Sequence, residues 1–323
     1  MAGNIDEERR WNGVWTGFEK WFSHMNMTLV VNFNHGLLEG PVWKMKEENG
    51  FMVSDNIEMN GSNVLYIYPG LEIGLFGVFT NSEMVSAKPV KIEGFQCVHA
   101  TMKPIWTAII SDDDDEVFSF DPSGDGIMSL DPLLKDPLES GWLEVQPSTI
   151  KGAGDGVFLK RDAPVNTIIG FFNGIRITLS ETLVNDDIKR SVHKMWNDWI
   201  DDELLYVPKE YISINAYNAS FGHKINHNSE ANVDAGYIDH PRFGRIRSIV
   251  TTKDVKAGQE IFCQYAGTVD STTFVRQIFK DFSSYLDIHE TAERVDFLQD
   301  MQKGYQEMLL SMMHDPDKYY RKP

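Results

Sequence analysis

A loosely repeated pattern of turns followed by alternating apolar residues most constrains how this chain can fold. The turn segments are FNHGLLEG (33–40), VSDNIEMNG (53–61) and FTNSEMVSA (79–87), and they are followed by PVWKM, SNVLYIY and KPVKI. Period-two alternation after a turn is typical of stacked β-hairpins. An antiparallel sheet without a true repeat explains the same pattern equally well. Residues 11–90 are therefore predicted to form an antiparallel β-sheet.

The rest of the chain divides into three further regions. Residues 91–140 contain the turn segments DPSGDG and LDPLLKDPLESG and are predicted to be a connector with a few strands. Residues 141–270 carry the densest strand pattern, interrupted by loops rich in glycine, asparagine and proline. In residues 271–323, apolar residues at helical spacing predict a C-terminal amphipathic helix. The predicted fold class is mainly β with α, that is, α+β.

Composition argues against several classes of function. The 48 acidic and 30 basic side chains give a net charge of −18, which disfavours direct nucleic-acid binding and favours basic protein partners. No apolar run approaches the roughly 18 residues of a transmembrane helix. The charged start of the chain and its two cysteines, Cys97 and Cys263, predict an intracellular protein. Without zinc-ligand spacings, no metal site is expected.

Two glycine-containing segments have the composition of ligand-binding loops. AGDGVF (153–158) would let a backbone approach a ligand closely. SFGHKINHNSEAN (220–232) combines glycine, amides and two histidines with no regular periodicity. His223 and His227 are four residues apart, but Gly222 and the asparagines argue against a helix that would present both to a metal. No GxSxG accompanies them, so a hydrolase is not expected either.

Three motifs, AGDGVF (153–158), INHN (225–228) and GQEIFCQY (258–265), resemble those of the SET-domain protein-lysine methyltransferases and stand in the family's order. LLKDPLES, FFNGIRIT, SFGHKINHN and HPRFGRIRSI are similar to members that carry MORN repeats before the SET domain and monomethylate histone H3. The resemblance implies a MORN-like sheet over 11–90, a connector or pre-SET region over 91–140 and a knotted SET domain over 141–270. Residues 271–323 would then be a C-terminal helical segment.

The resemblance also implies a methyl-transfer site without a metal. Tyr265 would be the catalytic residue, although the residue pattern alone fits an ordinary buried tyrosine. The substrate would be a deprotonated lysine of a basic protein such as a histone tail, methylated by a monomeric enzyme in the nucleus or cytoplasm. S-adenosylmethionine would be bound by Ala153, Gly154, Asp155, Asn226, His227 and Ala266.

Departures from the family pattern fall in the implied lysine channel. Phe172 and Ala235 stand where relatives carry tyrosines, and Asn228 replaces a serine. Tyr237, two residues after Ala235, would point to the same side of an extended segment. Loss of phenolic hydroxyls would let the amine rotate and permit di- or trimethylation, or orient it too poorly for turnover. The hypothesis is an active enzyme with altered product multiplicity; the alternative is a catalytically weak interaction or scaffold protein.

Overall fold

Strands dominate the part of the chain that the structure describes. This computed structural model describes residues 4–264, except for gaps at 6–10, 20–26, 35–36, 39, 47–49, 100–104, 112–115, 125, 192 and 199–202. The predicted mainly β class with antiparallel sheets is confirmed. The helix predicted within 271–323, together with Tyr265 and Ala266, lies outside the described residues.

The first eleven strands form a single sheet in which all pairs are antiparallel. Its order is β1-β2-β3-β5-β6-β7-β8-β9-β10, with β4 paired to β3 and β11 paired to β9. The sheet predicted for residues 11–90 is thus present, and β9 carries it across the predicted boundary at 90/91; its assignment as MORN repeats stays a prediction. The strands are Asn4–Ile5 (β1), Trp11–Glu19 (β2), Met27–Asn34 (β3), Leu37–Leu38 (β4), Val42–Lys46 (β5), Gly50–Ser54 (β6), Gly61–Ile67 (β7), Ile73–Thr80 (β8), Glu83–His99 (β9), Ile105–Ser111 (β10) and Phe118–Ser119 (β11).

Turn chemistry explains how consecutive strands of this sheet pair. The β8–β9 hairpin closes with Thr80 opposite Glu83, leaving Asn81 and Ser82 as a two-residue loop. Both loop residues have positive φ, 51° and 69°. Such loops match the twist of the strands that they join. Next to this turn, Gly77 is required because a Cβ there would lie 2.3 Å from the carbonyl oxygen of Ser86.

The second half of the described chain forms three small sheets and three short helices. The sheet orders are β12-β13-β21-β18, β14-β20-β19 and β15-β17-β16. The sequence pattern of residues 91–270 does not predict these helices. The elements are Pro137–Trp142 (α1), Leu143–Pro147 (β12), Asp155–Leu159 (β13), Ile168–Phe172 (β14), Ile175–Thr178 (β15), Leu179–Val184 (α2), Asp186–Arg190 (α3), Lys194–Asp198 (β16), Glu203–Tyr206 (β17), Asn226–His227 (β18), Val233–His240 (β19), Gly244–Thr251 (β20) and Glu260–Cys263 (β21).

The large sheet and the small sheets share one hydrophobic core. Tyr68, which follows β7, and Phe171 of β14 are both buried, with ring centroids 6.4 Å apart. On the surface, Arg161 lies 3.5 Å above the ring of Trp142 and forms an ion pair with Glu72 of the large sheet. These contacts fix the small sheets, which carry the predicted site residues, against the N-terminal sheet.

Candidate active site

Strand β21 brings together segments that are far apart in the chain. It pairs antiparallel with β13, with Val157 opposite Ile261, and parallel with β18, where Asn226 lies opposite Phe262 and His227 opposite Cys263. The backbone N–H of Asn228 donates to the carbonyl of Cys263 at 3.3 Å. The predicted proximity of the Asn-His segment to the GQEIFCQY strand is therefore observed up to residue 264. The asparagine that replaces the family serine keeps this backbone link.

Asn232 extends this pairing with its side chain. Its Oδ1 accepts from the backbone N–H of Phe262 at 2.7 Å, and its Nδ2 donates to the carbonyl of Glu260 at 3.0 Å. Its own N–H donates to the carbonyl of Phe262 at 3.0 Å. The buried amide of Asn232 thus makes hydrogen bonds to β21 of the kind that the backbone of a neighbouring strand would make. Asn232 had not been singled out in the sequence, where it reads as one more loop asparagine.

Glu260 is the acceptor at which the glycine-rich turn and the Asn-His segment meet. Its carboxylate accepts from Ser148 Oγ at 2.7 Å, from Thr149 N at 2.7 Å and from Asn226 Nδ2 at 3.1 Å. Burial raises the pKa of this carboxyl, but the hydrogen bonds from Thr149, Ser148 and Asn226 outweigh burial, so its pKa lies below the ordinary value. Glu260 is therefore ionised at neutral pH. It was missed because its partners come from other segments.

Glycines of the turn serve two different purposes. Gly152 and Gly154 have positive φ, 85° and 78°, which side-chain-bearing residues rarely adopt. Gly156 is needed for space instead, because a Cβ there would lie 2.1 Å from Glu260 Oε1. Ala153, between the first two, is exposed, and its N–H donates to the carbonyl of Ile150 at 3.1 Å. The turn therefore presents backbone to solvent beside a buried carboxylate.

Opposite charges lie beside this turn. Lys224 Nζ contacts Asp155 Oδ2 at 2.8 Å, and the lysine side chain is 9% exposed while the aspartate side chain is 45% exposed. Asn226 Nδ2 also donates to the carbonyl of Asp155 at 2.9 Å. An accessible carboxylate and an ammonium group beside an exposed turn suit a small zwitterionic ligand. Residues 152–156, 224–228 and 260–263 are called the loop wall below.

Sheet β14-β20-β19, called the sheet wall below, carries the predicted lysine-channel residues. Phe172 lies opposite Arg247, which lies opposite Tyr237, so the three side chains share one face. Ala235 lies two residues before Tyr237 in the same regular strand and so faces the same side, as predicted. The guanidinium carbon of Arg247 lies 3.8 Å from the ring centroid of Tyr237, and its Nη2 donates to the carbonyl of Ala235 at 2.8 Å.

The two walls meet at Gly222. A Cβ at this position would lie 2.5 Å from the carbonyl oxygen of Phe171 and 2.8 Å from Cα of Phe172. The backbone of the segment that enters the loop wall therefore passes directly against β14 at Gly222. It leaves no room for a side chain, so the separation of the walls depends on glycine here.

Titratable groups near the walls do not form a nucleophile or a metal centre in the described part of the chain. Burial, followed by the charge of Asp234, raises the pKa of the Cys263 thiol to about 12. Burial, with the charges of Lys224 and His193, lowers the pKa of His223 to about 3, so its imidazole is neutral. Among residues 4–264 outside the gaps, no cluster of three or more His, Cys, Asp or Glu side chains has metal-binding geometry.

Comparison with known protein families finds a match for the region that holds nearly all of both walls. Residues 154–266 match the family model for the SET domain. The chain carries a SET domain. The match begins in the glycine-rich turn and ends one residue beyond Tyr265, so the SET domain includes β13 to β21. The resemblance seen in the sequence motifs is thereby confirmed.

Similarity to one relative extends beyond the SET domain over most of the chain. The chain is 27% identical over 290 residues to the histone-lysine N-methyltransferase SETD7 of Halocynthia roretzi, and the alignment covers 87% of this chain and 72% of the relative. Among solved structures, an autoinhibited ctPRC2 bound to S-adenosylmethionine matches at 16% identity with a TM-score of 0.32, covering 43% of this chain and 17% of the other. The Chaetomium thermophilum polycomb repressive complex 2 matches at 18% identity and a TM-score of 0.30, covering 38% and 15%. These structural scores are too low to add to the assignment.

Proposed function

We propose that this protein is an S-adenosylmethionine-dependent protein-lysine N-methyltransferase. The observation that carries the proposal is the parallel pairing of Asn226–His227 with Phe262–Cys263 inside the matched SET region. It places the Asn-His segment, the glycine-rich turn and the strand that leads to Tyr265 at one location. The similarity to a histone-lysine N-methyltransferase over most of the chain supports the same reaction.

The loop wall has the chemistry needed to hold the cofactor. S-adenosylmethionine supplies an electrophilic methyl group on a positively charged sulfur. Asp155 and Lys224 offer a carboxylate and an ammonium to the charged methionine end, which Ala153 and Gly154 would contact through backbone. The backbones of Asn226 and His227 would bind the adenine, and Ala266, outside the described residues, would line the same pocket.

The sheet wall would receive the substrate lysine. A lysine amine with a pKa of ~10.4 is protonated at neutral pH, and an apolar channel disfavours the ammonium form. Phe172, which is 3% exposed, and Ala235 provide apolar surface on this face. Alignment of the amine would supply most of the remaining rate acceleration. Tyr265 is the proposed catalytic residue, with its hydroxyl near the transferring methyl group.

Product multiplicity is proposed to differ from strict monomethylation. At Phe172 and Ala235 no phenolic hydroxyl is available to bond the amine, so the amine can rotate and accept a second methyl group. Tyr237 faces the same side as Ala235, but its ring stacks against the guanidinium group of Arg247, and this contact restricts the rotation of the ring. We therefore expect dimethylated lysine among the products.

The substrate is proposed to be a basic protein segment such as a histone tail. The net charge of −18 attracts lysine-rich chains and repels nucleic acid. In the described residues, no helix is both long and apolar enough to cross a membrane. Action as a monomer in the nucleus or cytoplasm stays a prediction.

A two-stage experiment tests the function. Calorimetry measures S-adenosylmethionine binding, and mass spectrometry then measures methylation of a lysine-peptide library by wild type, Tyr265→Phe and the control Tyr211→Phe. We expect binding, methylated peptides with wild type and the control, and loss of product with Tyr265→Phe. Binding without methylation of any peptide would favour the scaffold alternative. Absence of cofactor binding would overturn the proposal.

A further inference from the structure

Glu139 of α1 contacts the backbone of both walls from inside the core. Its Oε1 accepts from the N–H of Phe171 at 2.6 Å and from the N–H of Phe221 at 3.2 Å, and its Oε2 lies 3.1 Å from the same Phe221 nitrogen. Phe171 directly precedes Phe172 of the sheet wall. Phe221 directly precedes Gly222 and the segment that enters the loop wall. One carboxyl group therefore joins the two backbones next to their close contact at Gly222.

Space around this carboxyl group is as restricted as its hydrogen bonding. Glu139 is 1% exposed. A Cβ on Gly170 would lie 2.7 Å from its Oε1, and a Cβ on Gly222 would meet the Phe171 carbonyl oxygen at 2.5 Å. The absence of a side chain at Gly170 leaves space for the Glu139 carboxyl group. The absence of one at Gly222 lets the two backbones pass close to each other. A shift of Glu139 would move β14 and the loop segment relative to one another.

The helix that carries Glu139 is anchored on its other side. Asp136 caps α1 by accepting from the N–H groups of Leu138 and Glu139 at 2.9 and 3.1 Å. Its Oδ2 accepts from Tyr68 Oη at 2.9 Å and contacts His240 Nε2 at 2.9 Å. His240 Nδ1 accepts from a backbone N–H, so the ring proton lies on Nε2 and is donated to Asp136. The position of Glu139 is therefore fixed by the large sheet and by β19.

We propose that Glu139 is a positioning residue that sets the separation between the sheet wall and the loop wall, and hence the alignment of lysine and cofactor. This inference rests on the proposed function. Glu139 touches neither substrate nor cofactor and acts only through the backbones of Phe171 and Phe221. A fixed separation matters because displacement of reacting groups by about 1 Å can lower a rate by about a hundredfold.

Two substitutions separate the two contacts. Glu139→Gln keeps the oxygen that contacts both N–H groups but replaces the second oxygen, 3.1 Å from the Phe221 nitrogen, with an amide NH2, so it weakens only the contact to the loop segment. Glu139→Ala removes both acceptors. The matched control is Asp121→Asn, because Asp121 is also buried, accepts from the backbone N–H of Leu130 at 2.8 Å and pairs with Arg242 in the turn between β19 and β20 rather than with a strand of either wall.

Cofactor affinity, product distribution and amide hydrogen exchange are measured below the melting temperature of every variant. We expect Glu139→Gln to raise the S-adenosylmethionine Kd by about tenfold with an unchanged ratio of mono- to dimethyl product. Glu139→Ala should raise Kd, change the product ratio and speed exchange at the amides of Phe171 and Phe221. Asp121→Asn should lower the melting temperature but leave the S-adenosylmethionine Kd, the product ratio and the amide exchange of Phe171 and Phe221 unchanged.

Clear outcomes overturn the inference. It fails if folded Glu139→Ala keeps the wild-type Kd, product ratio and amide protection at Phe171 and Phe221, or if Asp121→Asn reproduces all of its effects. Wild-type protein that binds no cofactor would instead contradict the proposed function. In that case the amide exchange of the two residues still decides whether Glu139 joins the walls.

Discussion

The loop wall and the sheet wall are built in different ways. Hydrogen bonds that involve side chains hold the loop wall, with the Glu260 carboxylate as the shared acceptor on β21. Regular antiparallel pairing holds the sheet wall and aligns Phe172, Arg247 and Tyr237 in one row. The loop wall thus offers mainly backbone to a ligand, whereas the sheet wall offers side chains.

This difference bears on the departures from the SET-domain motifs that the sequence indicates. Asn228 replaces a serine in the loop wall, yet its backbone N–H still bonds to Cys263. On the sheet wall, Phe172 and Ala235 leave the strand pairing intact but alter the chemistry of the face. Changes to the interior of the loop wall should therefore damage binding and stability together. Changes to the face of the sheet wall should alter the product with little effect on stability.

Removal of the central acceptor of the loop wall should have the largest effect. In Glu260→Ala, the donors of Ser148, Thr149 and Asn226 lose their partner, and we expect unfolding to become easier by about 3 kcal/mol. Cofactor binding should weaken as well. Denaturant unfolding and calorimetry measure both.

The control for this prediction is Lys256→Ala, which removes an exposed ion pair with Asp162. Because water and salt screen an exposed pair, we expect both the free energy of unfolding and the cofactor affinity to stay close to the wild-type values. If Glu260→Ala were no more harmful than this control, the loop wall would not depend on a buried acceptor, and the contrast between the walls would be lost.

Two glycine substitutions test the same dependence on the Glu260 carboxylate, with smaller expected losses of stability. Gly156→Ala places a Cβ 2.1 Å from Glu260 Oε1 and 3.2 Å from Cα of Ser148. Because hydrogen bonds hold this carboxylate, we expect a loss of about 2 kcal/mol and weaker cofactor binding. In Gly258→Ala, nothing lies within 4 Å of the new Cβ and only the φ of 77° is strained, so about 1 kcal/mol should be lost without a change in affinity. Equal affinities for both variants would contradict the crowding argument.

Opposite pH dependences should distinguish the carboxyl group of the loop wall from the one behind the sheet wall. Burial, then the charge of Asp136, raises the pKa of Glu139 above its ordinary value of 4.5, whereas hydrogen bonds that outweigh burial lower the pKa of Glu260. The contribution of Glu139 to stability is therefore full below pH 4.5 and is lost as pH rises through its folded-state pKa. That of Glu260 is full above pH 4.5 and is lost as pH falls.

Denaturant unfolding of wild type, Glu139→Gln and Glu260→Gln over a pH series measures these contributions. Each carboxyl group changes the slope of the unfolding free energy against pH by at most about 1.4 kcal/mol per pH unit. Glu139→Gln should remove a loss of stability on the alkaline side, and Glu260→Gln should remove a loss on the acid side. Slopes that change in the same direction in both variants would show that one of the two environments has been misassigned.

The sequence predicts the sheets better than the short helices, for physical reasons. Alternation of apolar residues and turn residues such as Asn81 are local signals, and the sheets that they predict are present. The helices α2 and α3 have six and five residues, too few for an apolar period to be recognised. One local signal was available: Thr178 and Glu181 form a capping box at the start of α2.

The site was predictable only where a contiguous motif carries it. Composition and resemblance both indicate the Asn-His segment and the glycine-rich turn, and the structure brings Asn226 into contact with Asp155. Glu260, Asn232 and Glu139 were missed because their partners are chosen by strand pairing and core packing between distant segments. An acidic residue at the start of an otherwise apolar strand, as in GQEIF, is the signal that could have indicated Glu260.

The smallest change in free energy should come from the face of the sheet wall, yet it should alter the chemistry most selectively. Phe172→Tyr restores a hydroxyl where relatives carry one, and a single hydrogen bond to the amine is worth about 1 kcal/mol, or roughly fivefold in product ratio. We expect mass spectrometry to show a shift toward monomethyl-lysine, with an unchanged S-adenosylmethionine Kd because the substitution leaves the loop wall intact. Phe79→Tyr, which adds a hydroxyl to a buried ring in the large sheet, is the control and should leave the ratio unchanged. If wild type already stops at one methyl group and Phe172→Tyr does not alter this, the phenol at position 172 does not determine multiplicity, and the sheet wall limits methylation by the size of its face alone.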